Sequence, residues 1–92
     1  MGAARPAVRV LMYCTASCPY CQAADRLLER KGAEVERVRV DLHPERRPEM
    51  EKLSGRRTVP QIWIGARHVG GCDELHDLEQ SGQLDQLLAK AS

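Results

Sequence analysis

Two cysteines separated by two residues, Cys18-Pro19-Tyr20-Cys21, stand between a short apolar run and a stretch with helical spacing. Thiols at this separation can close a small disulfide ring. A free thiol ionises near pKa ~8.5, and placement at a helix N-terminus lowers that to about 3.5–7.5. The first-turn N–H groups of a helix converge on its outer end and favour negative charge there. Cys18 is therefore the expected nucleophile. Cys21 falls one turn deeper, in line with Ala24 and Leu28, where burial keeps it protonated until Cys18 carries a mixed disulfide. Cys21 is the expected resolving thiol.

These cysteines need a strand before them and a helix after them, and the sequence supplies both. Val8, Val10 and Met12, with Leu11 between, predict a buried strand that ends near Tyr13. A loop over 14–17 leads to a helix from about Cys18 to Lys31, with Cys21, Ala24, Leu27 and Leu28 at spacings of three and four. Ser17 is the expected N-cap, Pro19 fits the first turn, and Gly32 supplies a left-handed C-cap. Val38, Val40 and Leu42 alternate with Arg37, Arg39 and Asp41 and predict a half-buried second strand, parallel to the first across a right-handed crossover.

Further along, Pro44 opens a second helix to about Leu53, stopped by Ser54-Gly55. Ile62-Trp63-Ile64 reads as a third strand, joined through Gly65-Ala66-Arg67 to a fourth at His68-Val69-Gly70. Asp73 is the expected cap of a third helix carrying Leu75 and Leu78. Gly82 breaks that helix before a last one with Leu84, Leu87 and Leu88. The order β-α-β-α-β-β-α-α predicts an α/β protein of thioredoxin-like fold, a four-stranded mixed sheet flanked by helices. Residues 1–92 are expected to form one domain, with 1–6 a disordered lead.

Composition narrows the function classes. The 92 residues carry 14 basic and 13 acidic side chains, a net charge of +1, so the clustered basic face that nucleic acid requires is not expected. The segment 7–13 is interrupted by Arg9, lacks a signal-cleavage pattern and is too short to span a bilayer. Cysteines at 14, 18, 21 and 72 in a chain read as cytoplasmic point to reactive or metal-bound thiols. A zinc site needs a second close ligand pair, and Cys72, His43, His68 and His76 offer none at ligand spacing. No metal site is expected. The spacing of Cys14, Cys18 and Cys21 also matches radical iron–sulfur enzymes, which need a barrel too large for this chain.

Three segments in order, Cys18-Pro19-Tyr20-Cys21, Thr58-Val59-Pro60 and Gly70-Gly71-Cys72-Asp73, resemble the glutaredoxin family, specifically its small bacterial dithiol type. The resemblance extends from about Val8 to Leu88. It implies glutathione as co-substrate, no tightly bound cofactor, and a glutathione site formed by Tyr20, Arg56, Thr58, Val59, Pro60, Gly71, Cys72 and Asp73. It further implies a cis peptide before Pro60 and backbone pairing of Val59 with the glutathione cysteine. The helix start at 71–73 would hold the γ-glutamyl carboxylate, the Asp73 carboxylate the neighbouring ammonium, and Arg56 in preference to Arg57 the glycyl carboxylate. Cys72 matches a cysteine of some glutaredoxins and is read as a backbone-donor position.

This chain departs from the family twice. Thr15 stands where many members carry Lys, and Cys14 where they usually show Thr; Cys14 is read as a buried small residue, with a regulatory thiol as the alternative. The expected activity is glutathione-dependent reduction of glutathione mixed disulfides and protein disulfides by a monomer, with those proteins and glutathione as its partners and neither nucleic acid nor membrane among them. A glutathione-ligated iron–sulfur carrier is the alternative. A reductant served by thioredoxin reductase is a third reading, against which the segment 70–73 argues.

Overall fold

In the computed structural model, which describes residues 9–89, four strands and four helices follow the order expected from the sequence. They are β1 (Arg9–Cys14), α1 (Pro19–Arg30), β2 (Glu34–Arg39), α2 (Arg47–Ser54), β3 (Gln61–Ile64), β4 (Arg67–Gly70), α3 (Cys72–Gln80) and α4 (Gln83–Ala89). The lead over 1–6 and Val8 lie outside the described residues. The sheet order is β2-β1-β3-β4. β1 runs parallel to β2, whereas β1–β3 and β3–β4 are antiparallel.

The pleat sorts side chains to the two faces. Val10, Met12 and Cys14 of β1 and Ile62 and Ile64 of β3 meet Leu27 and Leu28 of α1, Leu75 of α3 and Leu84 of α4. Tyr13, Val38 and Val40 meet Met50 of α2 on the other face. Leu27 and Leu28 are almost wholly buried. Each contributes roughly 1.5–3 kcal/mol through apolar transfer, and truncating either to Ala should cost about 2–5 kcal/mol. α1 is thereby fixed against the sheet, with its N-terminus above the end of β1.

Several boundaries differ from the sequence reading for identifiable reasons. β2 starts at Glu34 and ends at Arg39, earlier than the expected segment 37–42. Its parallel partner runs out at the Cys14–Arg39 pairing, after which only the Val40 N–H reaches back, to the Cys14 carbonyl at 3.0 Å. The chain then turns, closed by the His43 N–H on the Arg39 carbonyl, and leaves Leu42 exposed. The second helix begins as a single 3-10 turn over Pro44–Arg46. Pro48 has no N–H to offer Pro44 in an α-helical bond, so the α-helix proper starts at Arg47. Gly55, at φ 73°, closes it as expected.

The ends of α1 and α3 are also instructive. Gly32 takes the left-handed conformation (φ 70°), and the Ala33 N–H bonds the Leu28 carbonyl at 3.1 Å. Lys31 there reaches Glu79 at 2.8 Å and Asp85 at 2.9 Å, tying the C-terminal end of α1 to α3 and α4. The N-cap of α3 is Gly71, not Asp73, which lies exposed in the first turn.

Candidate active site

Cys18 is the N-cap of α1, correcting the expectation that Ser17 would fill that position. Its backbone is extended (φ −92°, ψ 114°), and its sulfur stands where a serine or aspartate oxygen normally caps. The Cys21 N–H donates to Cys18 Sγ at 3.3 Å. On its other side, Cys18 Sγ lies 3.7 Å from the Val59 carbonyl oxygen, to which the thiol can donate. Cys18 is partly exposed and Tyr20 is 64% exposed, while Cys21 retains only 3% of its surface. Burial pushes the Cys21 thiol up to about 12, with the Thr15 backbone N–H opposing and neighbouring Cys18 and Cys14 reinforcing. Two chemically equivalent groups three positions apart thus have different surroundings.

Beside Cys18 lies a cleft of about 300 Å³ lined by Tyr20, Arg56, Thr58, Val59, Pro60, Gly71, Cys72, Asp73 and Glu74. The first eight are the residues singled out from the sequence, drawn from three separate segments. The Val59–Pro60 peptide is cis. Arg57 does not line the cleft; its carbonyl accepts from Arg47 Nη1 at 2.9 Å. Arg56 is held in place by Ser54, whose hydroxyl accepts the Arg56 N–H at 3.0 Å.

The glycines fulfil two separate requirements. Gly70 has φ 118°, and a Cβ there would meet Glu74 Oε1 at 2.9 Å. At Gly71 a Cβ would come within 3.3 Å of the Pro60 carbonyl, so a side chain would push the two walls of the cleft apart.

Glu74 and Gln61 were missed by the sequence reading. Glu74 Oε1 accepts the Gly71 N–H at 2.7 Å, and Oε2 lies 3.5 Å from Arg56 Nη1. The hydrogen bond from the Gly71 N–H, foremost among the causes, and then the Arg56 guanidinium hold the Glu74 carboxyl below its ordinary range, with burial opposing. One donor expected to be open to a ligand carboxylate is therefore taken by the protein itself. The first-turn amides of Cys72 and Asp73 have no hydrogen-bond acceptor among the described residues. The signal for Glu74 was a glutamate three residues after the glycine cap, the usual reciprocal capping position.

Gln61 is wholly buried. Its amide donates to the Thr58 carbonyl at 3.0 Å and the Thr58 hydroxyl at 3.3 Å, and its oxygen faces His68 Nε2 at 2.8 Å. The ring of His68 in turn rests on Trp63, with centroids 4.6 Å apart. A buried polar group must be paired, and this pairing braces the Thr58-Val59-Pro60 wall from behind. The signal was a glutamine opening the otherwise apolar run 61–64.

The remaining thiols are buried. Cys14 keeps 5% of its surface, as its reading as a buried small residue requires. Cys72 keeps 8%, with its thiol raised by burial and by Asp73, Cys18 and Glu74. His76 Nδ1 lies 3.4 Å from Cys72 Sγ and 2.9 Å from the Cys72 carbonyl. No cysteine is paired in a disulfide among the described residues. No helix among them is long and apolar enough to cross a membrane.

A parallel β-α-β unit followed by an antiparallel hairpin, with a cysteine capping the first helix against a proline-containing strand entry, defines a thioredoxin-like protein of the thiol–disulfide class. The glutaredoxin family model matches residues 10–69. A glutaredoxin of Pseudomonas aeruginosa is 54% identical over 80 residues, covering 87% of this chain and 95% of that one. The solution structure of glutaredoxin from Brucella melitensis superposes with a TM-score of 0.79 at 49% identity, covering 96% of this chain and 95% of that chain. A buckwheat glutaredoxin–glutathione complex superposes with a TM-score of 0.80 at 27% identity, covering 86% of this chain and 74% of that chain. The chain belongs to the glutaredoxin family, whose members are glutathione-dependent thiol–disulfide oxidoreductases.

Proposed function

We propose that the protein reduces glutathione mixed disulfides and protein disulfides, with Cys18 as nucleophile, Cys21 as resolving thiol and glutathione as the reductant. The position of Cys18 Sγ, capping α1 while 3.7 Å from the Val59 carbonyl at the edge of the cleft, carries this reading. A glutathione lying in the cleft would bring its sulfur to Cys18, its γ-glutamyl carboxylate to the Cys72 and Asp73 amides, and its ammonium to the Asp73 carboxylate. Its glycyl carboxylate would face Arg56. The likeness to the buckwheat glutaredoxin–glutathione complex supports glutathione as the ligand.

With a glutathionylated substrate, the Cys18 thiolate attacks the glutathionyl sulfur. The substrate sulfur leaves and takes a proton, and Cys18 carries glutathione. A second glutathione thiolate attacks the sulfur of that adduct, freeing Cys18 and forming glutathione disulfide. With a protein disulfide, Cys18 forms a mixed disulfide with the substrate. Cys21 then loses its proton and attacks the Cys18 sulfur, expelling the reduced substrate and closing the Cys18–Cys21 ring. Two glutathiones reopen it. At about 12, the Cys21 thiol stays protonated at neutral pH until this exchange draws it in.

The test is turnover of a glutathionylated peptide by recombinant protein with glutathione. The wild type should turn it over, Cys18→Ser should fall to the uncatalysed background, and Cys21→Ser should retain this reaction while losing protein-disulfide reduction. Equal rates for the wild type and Cys18→Ser would end the reading.

A further inference from the structure

Cys14 is a thiol that the chemistry above leaves unused. The pleat of β1 turns it to the same face as Val10 and Met12, beneath the first turn of α1, where it joins Cys21 in one buried cluster. Both thiols line a cavity of about 170 Å³ that shares no lining residue with the glutathione cleft. Asp25, Arg37 and Arg39 stand at this second cavity. Cys21 is the thiol influenced by both of the others: its N–H meets Cys18 Sγ, and its sulfur faces the amide of Thr15, the residue next to Cys14. Charge on Cys14 bears on Cys21 as well.

We propose that Cys14 and Cys21 form a second redox pair, so that the oxidised protein exchanges between a Cys18–Cys21 and a Cys14–Cys21 disulfide. This rests on the reading of Cys18–Cys21 as the first product of turnover. In the exchange, Cys14 gives its proton to solvent and its thiolate attacks the Cys21 sulfur. The Cys14–Cys21 bond forms as the Cys18–Cys21 bond breaks, and Cys18 departs with the electron pair. No external oxidant or reductant is consumed. The departing Cys18 sulfur already has the Cys21 N–H directed at it, at 3.3 Å. Burial foremost, with Asp25 and Asp41, opposes charge on Cys14, while the Arg39 and Arg37 guanidinium groups favour it, so the exchange is slow relative to attack by an exposed thiolate. Its product is an oxidised protein whose Cys18 is free to exchange glutathione with a substrate while Cys21 is occupied.

Disulfide mapping tests this on the full chain. The protein is oxidised with glutathione disulfide, quenched in acid, unfolded and blocked with N-ethylmaleimide; the disulfide is then reduced and alkylated with iodoacetamide. Trypsin releases residues 10–26, which contain all three cysteines, and fragmentation shows which one carried maleimide. Two populations are expected, one with maleimide on Cys14 and one with it on Cys18, and Cys14→Ala should abolish the second. In Cys18→Ser, an internal disulfide should form that is absent from Cys14→Ala/Cys18→Ser. Maleimide on Cys14 alone in the wild type, with no internal disulfide in Cys18→Ser, overturns the second pair and leaves the proposed function standing. A wild type that forms no disulfide at Cys18 and fails to reduce glutathionylated peptide overturns both.

Discussion

Cys18 Sγ and the Val59 carbonyl oxygen lie 3.7 Å apart although they are 41 positions apart in the chain. The contact joins the first turn of α1 to the strand entry before β3, so the Cys18 sulfur and one wall of the cleft are set by one packing arrangement.

The four thiols should therefore react unequally in the folded protein. Cys14, Cys21 and Cys72 are buried and their thiols are raised by that burial, whereas Cys18 is partly exposed. Brief treatment of reduced protein with iodoacetamide at neutral pH should add one label, on Cys18. Unfolding first should expose all four. Intact mass and peptide mapping read the result, and prompt labelling of Cys21 would contradict the assignment of roles.

Gln61 braces the Thr58-Val59-Pro60 wall through Thr58 and His68. Gln61→Leu leaves the Thr58 carbonyl and His68 Nε2 without their partner, at about 1–3 kcal/mol of stability. KM for the glutathionylated peptide should rise more than kcat falls, since the wall contacts the ligand and not the leaving group. Urea unfolding and steady-state kinetics measure the two effects. Unchanged KM in a folded variant would show that the brace serves stability alone.

Glu74→Ala removes the acceptor of the Gly71 N–H and the neighbour of Arg56. Loss of one capping contact should lower stability by about 1 kcal/mol. The same change frees the Gly71 amide and the Arg56 guanidinium for ligand carboxylates, so KM for the glutathione moiety should fall. Thermal unfolding and kinetics together separate these opposing consequences, and a rise in KM would mean that Glu74 orders the site more than it competes with the ligand.

Acid should weaken the fold through Glu49 and Glu74. The Arg46 guanidinium first, then the Tyr13 hydroxyl, hold the Glu49 carboxyl at about 2, and Glu74 is also lowered. A carboxyl whose folded value is depressed stabilises fully above its unfolded value, near pKa ~4.3, and loses that contribution as pH falls through the folded one. Stability should thus decline between about pH 4.5 and 2. Glu49→Gln should flatten part of that decline when urea midpoints are compared across this range. An identical slope in wild type and variant would remove Glu49 from the account.

Local chemistry made much of this protein legible in its residues. The 3.6-residue spacing of Cys21, Ala24 and Leu28 placed Cys21 on the buried face of α1, and positive-φ glycines end the helices at 32, where a left-handed cap was expected, and at 55, where a stop was. Pairing limits were harder to read. Alternation carried Val40 and Leu42 onward as strand, but a strand persists only while its neighbour does, and β1 stops at Cys14.

The thiol pair, the order of the elements and the eight residues that line the cleft were legible in the chain, because each depends on short-range spacing or on a resemblance in aligned segments. Tertiary structure alone decided that Cys18 and not Ser17 caps α1, that Glu74 occupies the Gly71 amide, and that Gln61 supports Thr58 from within the core. These depend on which backbone donors are left unpaired once β3, β4 and α3 have packed, and a chain cannot reveal its unpaired groups before its partners are in place.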